Sequence, residues 1–280
     1  MTLPVVDDAS KITLNSNNSR LGKTSYPYLQ NQLQQILNGY ADYDAKSGNA
    51  HTVNAVVINN DLRSGLKSNY KSPPKDLKFI NDIRTSSPNV CPMCGSLKTG
   101  TLDHLFPKDD YPWFSVYSKN LVPACDCNSK RGTNLKNGNQ RVLHPYYDQF
   151  LTDRLLSCNI IENTNYPNAK ITIAYVDPTH QEAENIKFHT EKIVLPSGII
   201  GWLEGEWDTS TLSPFLKIQT LPQENIATLH EFNLYLNDAM TRYDRAYGTP
   251  NNWFSIFIHG IISSAGCAAW LHTKHNQLFT

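Results

Sequence analysis

Apolar residues recur at helical spacing in the N-terminal third of the chain. In YLQNQLQQILNGYADY, Leu29, Leu33, Ile36 and Leu37 fall on one face and Gly39 stands near the end, which predicts an amphipathic helix. A second apolar-periodic piece runs from Val53 to Leu66, with Asn59-Asn60 as a candidate break. Pro73-Pro74 stops it, and PPKDLKFINDIR starts a short helix with proline at its favoured first position. Residues up to about 25 are polar and rich in Ser and Asn, and predict an extended or loosely packed lead-in. Ser86-Ser87-Pro88-Asn89 predicts a loop.

Past residue 142 the pattern changes character. AKITIAYVD (Ala169–Asp177) has strand composition, and Thr179–Ile193 reads as a helix. Ser197-Gly198 punctuates a turn before a mixed apolar stretch, GIIGWLEGEW. Ile226–Tyr247 places Leu229, Phe232, Leu236 and Met240 in helical phase. Asn251 or Asn252 is then the expected cap of a final helix. The most apolar run, Trp253–Leu271, is interrupted by His259, Gly260 and Gly266. It predicts a buried core helix rather than one of the roughly 20-residue apolar runs that cross a bilayer. The expectation is an α+β protein in three parts: a helical N-terminal region (1–88), a small central core (89–141) and a mixed C-terminal domain (142–280).

Composition narrows the setting. Hydrophobic residues at 40 % and charged residues at 18 % are those of a globular protein, so a disordered chain is excluded. MTLPVVDDAS lacks a basic region followed by an apolar one, so a cytoplasmic location is expected. Reduced thiols cluster there to bind metal more often than to form disulfides. Net charge is zero, yet the segment from Leu62 to Arg141 carries thirteen Lys and Arg against six Asp, and the remainder is acidic. A basic middle is a plausible phosphate footprint.

That middle contains CPMCGSLKTGTLDHLFPKDDYPWFSVYSKNLVPACDCNSKRG, from Cys91 to Gly132, with four of the six cysteines. Cys91-x-x-Cys94 is a zinc-knuckle spacing, in which two thiolates from one tight turn reach one tetrahedral ion. Cys125-x-Cys127 would supply the other pair. Its one-residue gap leaves a tighter ring and fewer backbone N–H groups to face sulfur, so it is the weakest joint of the site. Cys158 and Cys267 stand alone in apolar surroundings and read as core. Asp103-His104 fits a short strand with a proline soon after. A histidine can take a proton from water near neutral pH, and a neighbouring carboxylate binds a hard divalent cation. Asn128 falls at the start of an expected helix, where its amide oxygen can face the same ion. Lys130 and Arg131 are candidates for positive charge beside a phosphate. The aromatic residues Tyr111, Trp113, Phe114 and Tyr117 are expected to pack the small core. His144 and Asp148 could extend the site or contact DNA; the competing expectation is that His144 and Tyr146 anchor the join between domains.

The ordered set Cys-x-x-Cys, Asp-His, Asn-Leu-Val, Cys-x-Cys-Asn and Arg-Gly resembles the zinc-ribbon branch of the HNH endonuclease superfamily, over about forty residues. The resemblance implies a ββα-metal core stapled by structural Zn2+ on Cys91, Cys94, Cys125 and Cys127. It further implies His104 as general base and Asp103 and Asn128 as ligands of a catalytic Mg2+ or Mn2+. Asn120 would orient the histidine and its loop, and Arg131 stands where the family usually has lysine. The activity implied is hydrolysis of DNA. The setting implied is that of bacterial anti-phage defence nucleases, often paired with an ATPase. The competing expectation is a zinc-ribbon module that binds nucleic acid or a partner without cutting.

Overall fold

The computed structural model describes residues 1–86, 88–162 and 166–280, so Ser87 of the expected 86–89 loop lies outside the described residues. The chain divides into two compact units. The first comprises Met1–Met93, Lys98–Gln149 and Glu184–Ile193; the second comprises Cys94–Leu97, Phe150–Ala183 and Val194–Thr280.

In the first unit, helices α1 (Asp8–Ser16), α2 (Tyr28–Asn31), α3 (Leu33–Ala45), α4 (Asn60–Lys71) and α5 (Phe79–Thr85) precede an antiparallel pair, β1 (Thr101–His104) and β2 (Leu121–Ala124). A short helix, α6 (Cys127–Arg131), follows β2, giving the order strand, strand, helix. Register pairs Asp103 with Val122 and His104 with Leu121. A two-residue ladder, β3 (Lys136–Asn137) with β4 (Gln140–Arg141), and helix α7 (Ala183–His189) from Glu184 onward complete the unit.

The expected loose lead-in is in fact helix α1. Asp7 accepts a hydrogen bond from Ser10 N, and only Ile12 supplies a buried apolar side chain. A helix anchored at one apolar position leaves no periodic signature to read. It docks through Asp8, whose carboxylate accepts from both the backbone and the hydroxyl of Ser118 at 2.9 and 2.6 Å. The apolar piece from Val53 divides at the candidate break: α4 begins at Asn60, because Asn59 caps it through Leu62 N at 2.8 Å. Upstream, Asn54 donates its backbone N–H and its amide to Asp42, which holds that segment out of the helix.

The loop between β1 and β2 is an aromatic core. Trp113, Phe114 and Tyr117 are buried, with Tyr43 of α3 standing edge-on to Phe114 and Tyr117 at 4.8 and 5.2 Å. Tyr111 sits edge-on to Phe106 at 5.0 Å. These four aromatic residues therefore pack, as their sequence context suggests.

In the second unit, the hairpin of β5 (Leu156–Ile161) and β6 (Lys170–Tyr175) confirms the strand expected near 169–177. The mixed stretch around residues 199–207 forms helix α8 (Ile199–Leu212), and the rest of the unit is α9 (Pro214–Lys217), α10 (Leu229–Tyr247), α11 (Trp253–Ser263) and α12 (Ala265–Asn276). Asn252 caps α11 through Ser255 N. The single core helix expected over Trp253–Leu271 is two: Ser264 leaves helical geometry and caps α12, and the axes bend by 99°. By itself no described helix is long and apolar enough to cross a membrane; only α11 and α12 taken together reach that length and apolar character, with the 99° bend between them. Gly260 lets α11 approach β5, since a Cβ there would collide with Cys158. Cys158 and Cys267 are buried in this unit.

Candidate metal centre and adjoining pocket

The sulfur atoms of Cys91, Cys94, Cys125 and Cys127 all lie within 4.8 Å of one another, and all four residues are buried. A tetrahedral zinc with bonds of about 2.3 Å separates its thiolates by about 3.8 Å, and Cys91 and Cys127 are 3.7 Å apart. The donor chemistry and spacing therefore fit a structural zinc. Cys125, the suspected weak joint, belongs to the group. The shortage of backbone donors expected from its one-residue gap is not seen. Cys125 N faces Cys91 Sγ at 3.4 Å, and Cys127 N faces Cys125 Sγ at 3.3 Å. The turn after Cys91 is braced by His189. Its Nδ1 accepts from Leu143 N, so its Nε2 carries the proton donated to the Met93 carbonyl at 2.6 Å.

A separate pocket of about 360 Å³ opens beside β1 and α6. Its lining includes Tyr70, Asp103, His104, Lys108, Asp109, Asn128 and Arg131. Four of the residues singled out in the sequence, Asp103, His104, Asn128 and Arg131, thus converge on one cavity.

His104 is buried, with Tyr70 packed edge-on against its ring at 4.1 Å. Its Nε2 lies 2.9 Å from the Ser115 carbonyl oxygen. A carbonyl can only accept, so Nε2 holds the proton and Nδ1 is the bare, basic nitrogen. Burial pulls the His104 pKa down to about 4, with the Ser115 hydrogen bond working the other way. The ring is therefore neutral at ordinary pH.

Asp103 is equally buried. Arg131 Nη2 donates to both of its oxygens at 3.2 and 3.1 Å. Burial pushes the Asp103 carboxyl up, and the guanidinium beside it opposes that shift. Arg131 is 2 % exposed and also donates to the carbonyls of His104, Leu105 and Asn134. The sequence suggested Arg131 as charge beside a phosphate. Its Nη1 and Nη2 atoms are instead turned inward to tie α6 onto β1. Lys130, the other candidate, is paired with Asp126 at 2.9 Å and does not line the pocket. The Asn128 side chain is half-buried at the pocket wall and makes no hydrogen bond to another described residue.

Asn120 does not reach the pocket. Its Oδ1 accepts from Phe106 N at 2.8 Å, and its Nδ2 donates to the carbonyls of Phe106 and Phe114 at 3.1 and 3.2 Å. It clamps both ends of the loop that presents the Ser115 carbonyl to His104. His144 lies in the interior of the first unit, where burial pulls its pKa down to about 3. Tyr146 N donates to His144 Nδ1, so Nε2 donates to Tyr43 Oη at 2.8 Å, and Tyr43 in turn donates to Asn120 at 3.4 Å. Asp148 forms a paired contact with Arg141, both bonds 2.7 Å. Neither His144 nor Asp148 lines the pocket.

Sequence reasoning missed Tyr70, Lys108 and Asp109. Lys108 stands four residues after His104, next to Pro107, and that nearness was the signal available. Tyr70 comes from α4, and nothing in its local sequence marks it.

Over an aligned stretch of 120 residues the chain is 31 % identical to Protein ea31 of Escherichia phage lambda. That stretch is 39 % of this chain and 40 % of the phage protein, so the chain spans well under half of that relative's length. No protein-family model matches the chain, and no solved structure matches it.

Proposed function

We propose that this protein is a metal-dependent endonuclease that hydrolyses DNA phosphodiester bonds in the pocket containing His104. The observation that carries the reading is the state of that histidine. One ring nitrogen is fixed on a backbone carbonyl, and the other is bare and neutral in a cavity shared with Asp103, Asn128 and Lys108. A general base needs this arrangement. His104 Nδ1 would take a proton from water as the water oxygen attacks phosphorus, and the phosphorus–O3′ bond would break. Asn120 fixes the loop that orients the ring, and Arg131 fixes Asp103.

The residues fit a hard divalent cation. Asp103 and Asn128 offer oxygen donors of the type that Mg2+ and Mn2+ prefer. A carboxylate has about four lone-pair sites, so the Arg131 contacts leave acceptor capacity on Asp103. When bound, the cation would neutralise charge building on the phosphate and the leaving oxygen. The cysteine cluster would hold zinc as a staple for the same core, without a part in the chemistry. The resemblance to HNH endonucleases supports this division. The wider setting it implies, a cytoplasmic anti-phage effector acting with an ATPase partner, belongs to the proposal as analogy.

Incubation of zinc-loaded protein with supercoiled plasmid tests the reading. Nicking that requires Mg2+ or Mn2+ and stops with EDTA is expected. No nicking with any divalent cation, with candidate ATPases added, would instead favour the zinc-ribbon binding module.

A further inference from the structure

We infer that Lys108 is the residue that grips the substrate's backbone phosphate in the His104 pocket. This deepens the nuclease reading and rests on it. Four acidic or basic side chains other than histidine line the cavity: Asp103, Lys108, Asp109 and Arg131. Asp103 is taken by Arg131. Asp109 is taken by Lys67, reaching from α4 at 2.6 Å. Lys108 is left with no ion pair or hydrogen bond to another described residue, although a carboxylate stands next to it in the chain.

The two cations of the pocket therefore have opposite fates. Arg131 is committed to Asp103 and three backbone carbonyls and is 2 % exposed, so it has little to offer a ligand. Lys108 is half-buried, and its ammonium is near enough to Asp103 and His104 to act on both electrostatically. An ammonium with three free donors on a flexible stem is suited to following a phosphate through a reaction. An unpaired cation in a partly enclosed cavity also concentrates phosphate there, since field lines focus in such clefts.

The test measures binding without turnover, in a His104→Ala background. A short fluorescent DNA duplex is titrated with protein across a range of NaCl concentrations. Removing one phosphate contact lowers the slope of log affinity against log salt by about 0.9 for duplex DNA. Lys108→Met is expected to weaken binding at low salt and to lower the slope by about that amount. Lys108→Arg, which keeps the charge, should retain the slope. A side chain that merely packs would leave the salt slope unchanged. Melting temperature reports whether the methionine variant folds; should it fail to fold, Lys108→Gln is measured in its place. An unchanged slope in Lys108→Met, alongside loss of cleavage in His104→Ala, overturns the inference and leaves the nuclease reading standing. A parent protein that neither binds nor cuts DNA overturns both.

Discussion

Two polar clusters grow from the stretch Cys91–Gly132, and they differ in how completely they are satisfied. The cysteine cluster is closed: four buried sulfurs face one another within 4.8 Å, with backbone N–H groups turned toward them. The His104 pocket is open: the lining of its cavity of about 360 Å³ includes an imidazole with one nitrogen unprotonated, and an Asn128 amide and a Lys108 ammonium that make no hydrogen bond or ion pair to another described residue. Groups that satisfy one another stabilise a fold, whereas groups left unsatisfied in a cavity await a ligand. Asp103 and Arg131 stand between the two cases. They line the open pocket, yet they bond to each other and to the backbone.

Metal loss should separate the clusters most sharply. Structural zinc contributes folding free energy directly, about 10–16 kcal/mol in small zinc peptides. Cys125→Ser is therefore expected to lose zinc and unfold the core as fully as Cys91→Ser does, monitored by metal analysis and denaturant titration. A Cys125→Ser protein that keeps full zinc and wild-type stability would remove Cys125 from the site. Next in size is Arg131→Met. It strands a buried carboxylate and three carbonyls, and breaking a buried pair from one side costs about 3–5 kcal/mol. The loss should show in denaturant titration with zinc still bound. A variant of wild-type stability that binds DNA more weakly would return Arg131 to the phosphate-binding role suggested by its sequence position.

The sequence exposed the closed cluster and half of the open one. Cysteine spacing is readable because two thiolates on one turn must lie close in the chain. Asp103, His104 and Asn128 are readable because a strand and a helix start place them locally. The pairing of charges is not local. Lys67 and Tyr70 come from α4, and whether Lys108 or Arg131 is free depends on which carboxylate each meets in the fold. Helix α1 was missed for a related reason, because its docking rests on Asp8 and Ser118, a polar contact between distant positions. The break at Ser264 was hidden because the run carries several polar and glycine interruptions, His259, Gly260 and Gly266 among them, and none marks Ser264 as the one that ends a helix.

In the proposed division of labour, the open pocket performs the chemistry while the cysteine cluster only holds the fold. His104→Ala tests it most directly, with plasmid cleavage, zinc content and melting temperature measured on the same preparation. A general base in this role gives a fall of about 10²–10⁴-fold in cleavage rate on its removal, with zinc content and melting temperature as in the parent. Cleavage at the parent rate, or a loss of activity accompanied by loss of zinc, would contradict it.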